Sequence, residues 1–324
     1  MTPQRRRFAD GRWHFQHGPI DCILGADGDT AAIGAAVEAS WQRFREVLDE
    51  LVGELPLLRR DLSTGAPPEP RGPIARRMVA ACAPHAANGG CFITAMAAVA
   101  GSVAQELLAP FERDGIERAY VNNGGDIALR LVAGQCFHIG WVTDPLHATL
   151  DGAWHVDAAS PVRGVATSGW RGRSFSLGIA DSVTVLATSA ADADAAATVI
   201  ANAVDLAGDR RVRRAPAASL RDDSDLGERL VTTQVSTLDA GSIDRALASG
   251  ATRAAREIAA GRVHAAALCL QGRVRLCGDN RFVGAHRSGR RLGDDRGSAV
   301  GHALAAHASA LTASSAAPPF TPSH

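Results

Sequence analysis

SVTVLATSAADADAAATVIANAV, residues 182–204, changes period partway through. Its first seven residues alternate apolar and polar as a strand does, and the rest is an alanine-rich run with no alternation. Ser189 stands where a helix N-cap belongs, with Asp192 three residues on, a capping box in its Ser-x-x-Asp form. The spacing predicts a strand over 181–188 that turns directly into a helix from 190 to about 206. On that helix Asp194, Thr198 and Asn202 recur at i, i+4 and i+8 and share one face. Asp194 and Thr198, a carboxylate and an alcohol one turn apart, are a donor pair for a hard cation such as Mg²⁺. A dipole-favoured acid and a hydroxyl bonded to its own i−4 carbonyl account for the same residues without a metal.

Upstream, the pattern is that of strands. RAYVNNGGDIALRLV (118–132), QCFHIGWVT (135–143), VRGVATSGW (162–170) and SFSLGIA (174–180) all read as extended, with Ala133 and Gly134 as a tight turn. NNGGD, 122–126, closes one strand and opens the next. Its glycines permit positive φ and close approach of a phosphate, and ordinary turn chemistry explains them equally well. ATSG, 166–169, offers the Thr167 and Ser168 hydroxyls and the Gly169 backbone at another strand end. No G-x-G-x-x-G opens a helix after these strands, so a Rossmann site is not indicated.

Residues 30–58 carry Trp41, Phe44, Val47, Leu48, Leu51 and Leu55 at helical spacing and predict one long amphipathic helix ending near Pro56. GAPPEPRGP, 65–73, is a connection. Residues 88–111 read as a Gly-rich entry, Thr94 as N-cap, then a helix of small residues. A loop over 208–229 leads to a helix at 242–261 and a hairpin turning at Gln271 and Gly272. Residues 285–324 lack apolar periodicity and are expected to be a disordered tail after a domain spanning 1–284. The expected fold class is α/β in the α+β sense, a single compact domain of mixed sheets packed with helices.

Composition excludes several chemistries. The 324 residues are 46% hydrophobic with zero formal net charge, which gives no support for a nucleic-acid partner or an anionic membrane surface. The basic runs at 5–7 and 210–214 are read as solvated faces or a local anion contact. All 34 basic residues are arginine, so a P-loop lysine, a Schiff-base lysine and a lysine general base are ruled out. Six cysteines without a CxxC pair point to small buried hydrophobes in a reducing compartment. No leader-like apolar run opens the chain and no stretch is long enough to span a bilayer, so a cytoplasmic location is expected. No histidine pairs at a metal-ligand spacing, and none is assigned to catalysis. Asp222, Asp223 and Asp225 crowd DDSDLGERL, 222–230, an acidic loop read as solvated, with a metal contact as the alternative.

In order along the chain, NGGCFITAMAAVAG, AYVNNGGDIAL, VATSG and SVTVLATSAADADAAAT resemble the blocks of the ApbE family, the FAD:protein FMN transferases. The resemblance spans roughly residues 88–206. It implies Mg²⁺ as cofactor and FAD as the nucleotide cleaved at its pyrophosphate, with FMN passed to a Ser or Thr hydroxyl of an acceptor protein. Carried over residue by residue, Asp194 and Thr198 match the metal-binding Asp and Thr. Asn123, Gly124, Gly125 and Asp126 match the turn beside the flavin nucleotide, and Thr167, Ser168 and Gly169 match the TSG turn. Asp126 and Asp181 are the carboxylates expected to take the acceptor's proton. Elsewhere the pattern is broken. Gly89 and Ala95 stand where the family has a nucleotide-binding Asp and a Lys, and Ala197 replaces a second metal-side carboxylate. Arg163, Arg171 and Arg173 are the candidates to replace the lysine's charge. Two further readings stay open: a binding module without turnover, and another enzyme on this scaffold acting on a phosphorylated or pterin-like ligand. A homo-oligomer is compatible with each.

Overall fold

The computed structural model describes residues 2–87, 90–141 and 152–282. Strands β1 (Gln4–Arg7), β2 (Trp13–His17) and β3 (Ile20–Gly28) precede helices α1 (Thr30–Gly53), α2 (Leu55–Leu58) and α3 (Pro73–Ala86). A 3-10 turn, Ala95–Ala98, leads into α4 (Val99–Leu108). Next come β4 (Ile116–Asn123), β5 (Asp126–Leu131), β6 (Cys136–Trp141), β7 (Gly152–Asp157), β8 (Gly164–Ser168), β9 (Ser182–Ala187) and α5 (Ala190–Ala203). The remainder is β10 (Val212–Pro216), α6 (Ala217–Leu220), β11 (Leu230–Val235), α7 (Ala240–Ala259), β12 (Ala265–Leu270) and β13 (Arg273–Gly278).

Nine strands form one sheet in the order β1-β2-β3-β4-β5-β8-β9-β12-β13, and every neighbouring pair is antiparallel. Its central strands are buried on both faces, which is why they read as nearly continuous apolar runs. Period two divides them between two cores. Val121, Ala128, Val183, Val185, Ala266 and Leu268 face a helical layer that includes α1, α3, α4, α5 and α7. Tyr120, Ile127, Leu129, Val165, Leu186 and Ala267 face the opposite way, onto Phe137, Ile139, Trp154 and Val156 of the β6–β7 pair.

Helix α5 forms where its residues require. Ser189 Oγ accepts from the Asp192 amide at 3.2 Å and donates to the Asp192 carboxylate at 2.7 Å. The helix is nearly all alanine on its inner faces because its backbone lies against its neighbours. A Cβ on Gly101 of α4 would sit 2.2 Å from the Ala190 carbonyl oxygen, and one on Gly164 of β8 would sit 2.1 Å from that of Ser189.

Several expectations need correction. SFSLGIA is not a strand: Ser176 Oγ and the Leu177 amide both bond Asn202 Oδ1 at the end of α5, which fixes this segment as a loop. That contact is the purpose of the third polar residue on the helix face. Thr94 precedes a 3-10 turn and makes no capping bond; its hydroxyl donates to Asp225 at 2.5 Å. The turn at Ala133 and Gly134 forms, yet β5 pairs with β8 and β6 with β7, so the two strands it joins are not partners. The long first helix breaks at Glu54, one residue ahead of α2. The segment 208–229 contains β10 and α6, and β10 pairs with β11. Strands β1–β3 and helix α3, with Pro73 in its first turn, were not anticipated. The expected tail at 285–324 lies outside the described residues.

Candidate functional site

The turn at Asn123-Gly124-Gly125-Asp126 is a two-residue hairpin, with Asn123 paired to Asp126 and φ of +69° and +115° at the glycines. Positive φ at both central positions is the turn that matches strand twist, and glycine adopts it without a steric penalty. Asn122 Oδ1 accepts from the Gly125 amide at 2.8 Å and holds the loop shut. Asn123 Nδ2 donates to the Ala100 carbonyl at 3.2 Å, and its Oδ1 accepts from the Asp21 amide at 3.4 Å. The turn reading and the site reading therefore coincide, because the hairpin that needs the glycines also delivers Asp126.

Asp126 is 8% exposed and Asp194 is 9% exposed. Burial pushes the Asp126 carboxyl up to about 7, against the pull of the Thr167 amide and the Arg173 guanidinium. Asp194 is held well above the usual carboxylate range by burial and then by the negative charge of Asp126. The Gly101 and Ala100 amides at the start of α4 oppose that shift, and Asp194 Oδ2 accepts from Gly101 at 2.9 Å. Among the described residues neither carboxylate forms a salt bridge. Thr198, one turn further along α5, is half-buried.

The ATSG segment contributes through its backbone. The Thr167 amide donates to Asp126 Oδ1 at 3.1 Å, while the Thr167 hydroxyl pairs with that of Thr184 at 3.0 Å. Ser168 is half-buried at the last position of β8. Gly169 packs against the Asp181 backbone, with 2.4 Å from its would-be Cβ to that carbonyl oxygen.

Asp181 stands apart from the acid pair. Its Oδ1 accepts from Trp170 Nε1 at 3.1 Å and Arg171 Nε at 2.7 Å, and its Oδ2 from the Gln271 amide at 2.5 Å. Both oxygens are occupied as a structural anchor. The three candidate arginines separate just as plainly. Arg163 is spent on the carbonyls of Ala158, Ser160 and Val162, and Arg171 on Asp181. Arg173 is exposed, donates no hydrogen bond among the described residues, and has Nη2 2.8 Å from where a Gly124 Cβ would be. It also acts electrostatically on Asp126.

Ala95 and Ala197 are fully buried, and Gly89 lies outside the described residues. Ala197 brings no carboxylate to the site; the acid that acts on Asp194 is Asp126, from β5. Sequence spacing could not show that pairing, since 68 residues separate Asp126 from Asp194 and only the strand register of β5, β8 and β9 brings them together. The acidic loop is tied down as well: Asp223 pairs with Arg59 at 3.2 Å and Asp225 with Thr94. No helix among the described residues is long and apolar enough to cross a membrane.

A UPF0280 protein of Methanosphaerula palustris is 35% identical over 197 residues, covering 60% of this chain and 77% of the relative. Another, of Methanosarcina barkeri, is 31% identical over 204 residues, covering 60% and 72%. Of solved structures, an ApbE protein of Thermotoga maritima aligns with a TM-score of 0.39 at 13% identity over 85% of this chain and 96% of its own. The apo flavinyl transferase ApbE of Pseudomonas stutzeri aligns at 0.29 and 16%, over 61% and 84%. Likenesses that distant carry no argument about the site. A family model described as AbpE bacteria matches residues 5–276, and the chain belongs to that divergent, ApbE-like family.

Proposed function

We propose that this chain is a Mg²⁺-dependent flavin-nucleotide enzyme that transfers FMN from FAD to a serine or threonine hydroxyl of a partner protein. The observation that carries the reading is the burial of Asp126 and Asp194 together beside the Gly124–Gly125 turn, with Arg173 against that turn. Family membership supports it.

The donor set fits the metal. Two carboxylates held toward their neutral forms by burial are relieved by a nearby divalent cation, and the oxygen donors of Asp194 and Thr198 suit Mg²⁺ rather than a softer ion. Asp194 and Thr198 would hold it, and when bound it supplies charge neutralisation at the pyrophosphate. Arg173 would bind pyrophosphate oxygens from the solvent side, in place of the lysine this chain lacks. Asp126 would take the proton from the acceptor hydroxyl as general base. The hydroxyl oxygen bonds to the FMN phosphorus, the bond to AMP breaks, and AMP leaves with the electron pair. The same reading places the protein in the cytoplasm, where its six free thiols stay reduced.

The test is incubation with FAD, Mg²⁺ and an acceptor carrying the Thr-containing target sequence of flavin transferases. The expected result is an FMN-sized mass gain on the acceptor with release of AMP. Flavin binding indifferent to Mg²⁺ and without AMP release would replace the enzyme with a carrier.

A further inference from the structure

On the far side of the nine-stranded sheet from α5, the β6–β7 pair presents a second cluster of ligand atoms. Cys136 and His138 are two apart on β6 and so share a face, and His155 of β7 lies directly across from His138 in the antiparallel register. The alternate residues Phe137, Ile139, Trp154 and Val156 are almost fully buried in the core beneath. That packing fixes the outer face, so the three side chains are placed by rigid elements rather than by a loop.

We propose that Cys136, His138 and His155 form a binding site for a borderline-soft divalent ion of the zinc class, which clamps β6 to β7. The ligand atoms of the three residues all lie within 4.8 Å of one another, and His155 Nδ1 is 3.1 Å from His138 Nε2. Tetrahedral coordination with bonds of about 2.0 to 2.3 Å requires ligand atoms roughly 3.3 to 3.8 Å apart, so sub-ångström to one-ångström adjustments close the site. One thiolate and two imidazoles select zinc, cobalt(II) or a similar ion over the hard cation suited to Asp194 and Thr198. Among the described residues these three side chains supply the ligands. Binding expels the thiol proton, which goes to solvent. The physical role follows from the topology: β6 and β7 form a two-stranded sheet outside the main one, and the ion would tie the two strands together across the face that the core does not cover. The inference does not depend on the flavin reading.

The experiment uses the full chain, stripped by chelator, dialysed, and titrated with Co²⁺ alone. One tetrahedral equivalent should bind with intense visible d–d bands and a thiolate-to-cobalt charge-transfer band in the near ultraviolet, set apart from weakly absorbing cobalt at oxygen donors, and Zn²⁺ should displace it. Cys136→Ser should abolish the charge-transfer band, and His155→Ala should weaken binding at least about tenfold, the loss seen on removing even an outer partner of a ligand. Cys91→Ser and Cys277→Ser, at the other partly exposed thiols, should leave both signals intact. Circular dichroism matching the wild type keeps each variant interpretable. Absence of the charge-transfer band in the wild type, or its survival in Cys136→Ser, would overturn the proposal.

Discussion

Asp126, at the start of β5, raises the cost of ionising Asp194, in the second turn of α5. Among the described residues neither acid forms a salt bridge, and Arg173 acts on Asp126 only through space. A fold that buries two acids together without a salt-bridged counter-ion has an electrostatic cost that a cation from outside reduces.

Asp194→Asn separates that cost from folding. The amide keeps an oxygen for the Gly101 N–H and removes the charge. The metal-free variant should melt higher than the wild type at pH 8, by roughly 2 to 4 °C for each 1 kcal/mol relieved. It should lose the Mg²⁺-induced shift and at least about 100-fold in flavin transfer. Thermal melts with and without Mg²⁺ measure the first pair; a variant that melts lower and still responds to Mg²⁺ would contradict the site.

The pH dependence has a definite sign. The Asp126 carboxyl is raised in the folded state from 3.8 to about 7, so its protonated form contributes stability fully below the ordinary value. That contribution falls as pH rises through about 7, on the order of 2 kcal/mol between pH 5 and pH 8 from this group. Metal-free wild type should therefore lose stability across that range relative to Asp126→Asn, and the Mg²⁺-induced gain should grow with pH. Urea denaturation at several pH values, with and without the ion, gives both slopes. A Mg²⁺ gain that shrinks with pH would exclude a cation beside this acid pair.

Arg173→Ala should weaken FAD and ADP binding about tenfold or more, the worth of a charge-assisted hydrogen bond to phosphate, and leave the melting temperature unchanged. Arg163→Ala should do the reverse, since that side chain bonds three backbone carbonyls around residues 158–162. Equilibrium titration beside calorimetry distinguishes them. Equal effects on affinity from the two variants would remove Arg173 from its assigned role.

Gly101→Ala puts a methyl 2.2 Å from the Ala190 carbonyl oxygen, a backbone atom that cannot swing aside. Forcing α4 away from α5 should cost about 1 to 3 kcal/mol or more and move the amide that holds Asp194. Mg²⁺ affinity should fall with stability. If chemical denaturation shows no loss, the close helix contact is wrong.

Glu257 tests the fold away from the site. It is buried in α7, bonded by Arg253 at 2.7 Å and Arg262 at 2.6 Å, with His85 Nδ1 of α3 3.3 Å away. Burial raises its carboxyl and these cations more than offset that, leaving it at about 2. A depressed carboxylate contributes stability above its ordinary value of 4.5 that is lost as pH falls toward about 2. Glu257→Gln should cost about 2 to 4 kcal/mol at neutral pH and flatten the acid limb of the stability curve. A variant as acid-sensitive as the wild type would show that another group controls that limb.

The strand-to-helix stretch at 182–204 was legible because period, cap and composition agree there: β9, Ser189 and α5 all stand as the residues suggest. The Gln271–Gly272 hairpin was legible for the same reason, with φ of +44° and +78° at the two turn residues. Pairing was not legible. SFSLGIA has strand-like residues, but its polar backbone is satisfied by Asn202, a contact decided in three dimensions. Asp126 and Asp194 were each singled out alone, and their shared burial needed the register of the intervening strands. Cys136, His138 and His155 escaped because two of the ligands sit on one strand and the third across a hairpin, a spacing no linear motif encodes. Cys-x-His on a strand was the only signal in the sequence.

The glycines at 101 and 164 let α5 lie backbone to backbone against α4 and β8, which leaves that helix nowhere to slide. The acidic wall is consequently rigid, whereas the basic wall is one solvent-facing arginine free to swing. On the proposed function, selection among anionic guests then falls to the swinging side, and substitutions at Arg173 should change preference while leaving the acid pair in place.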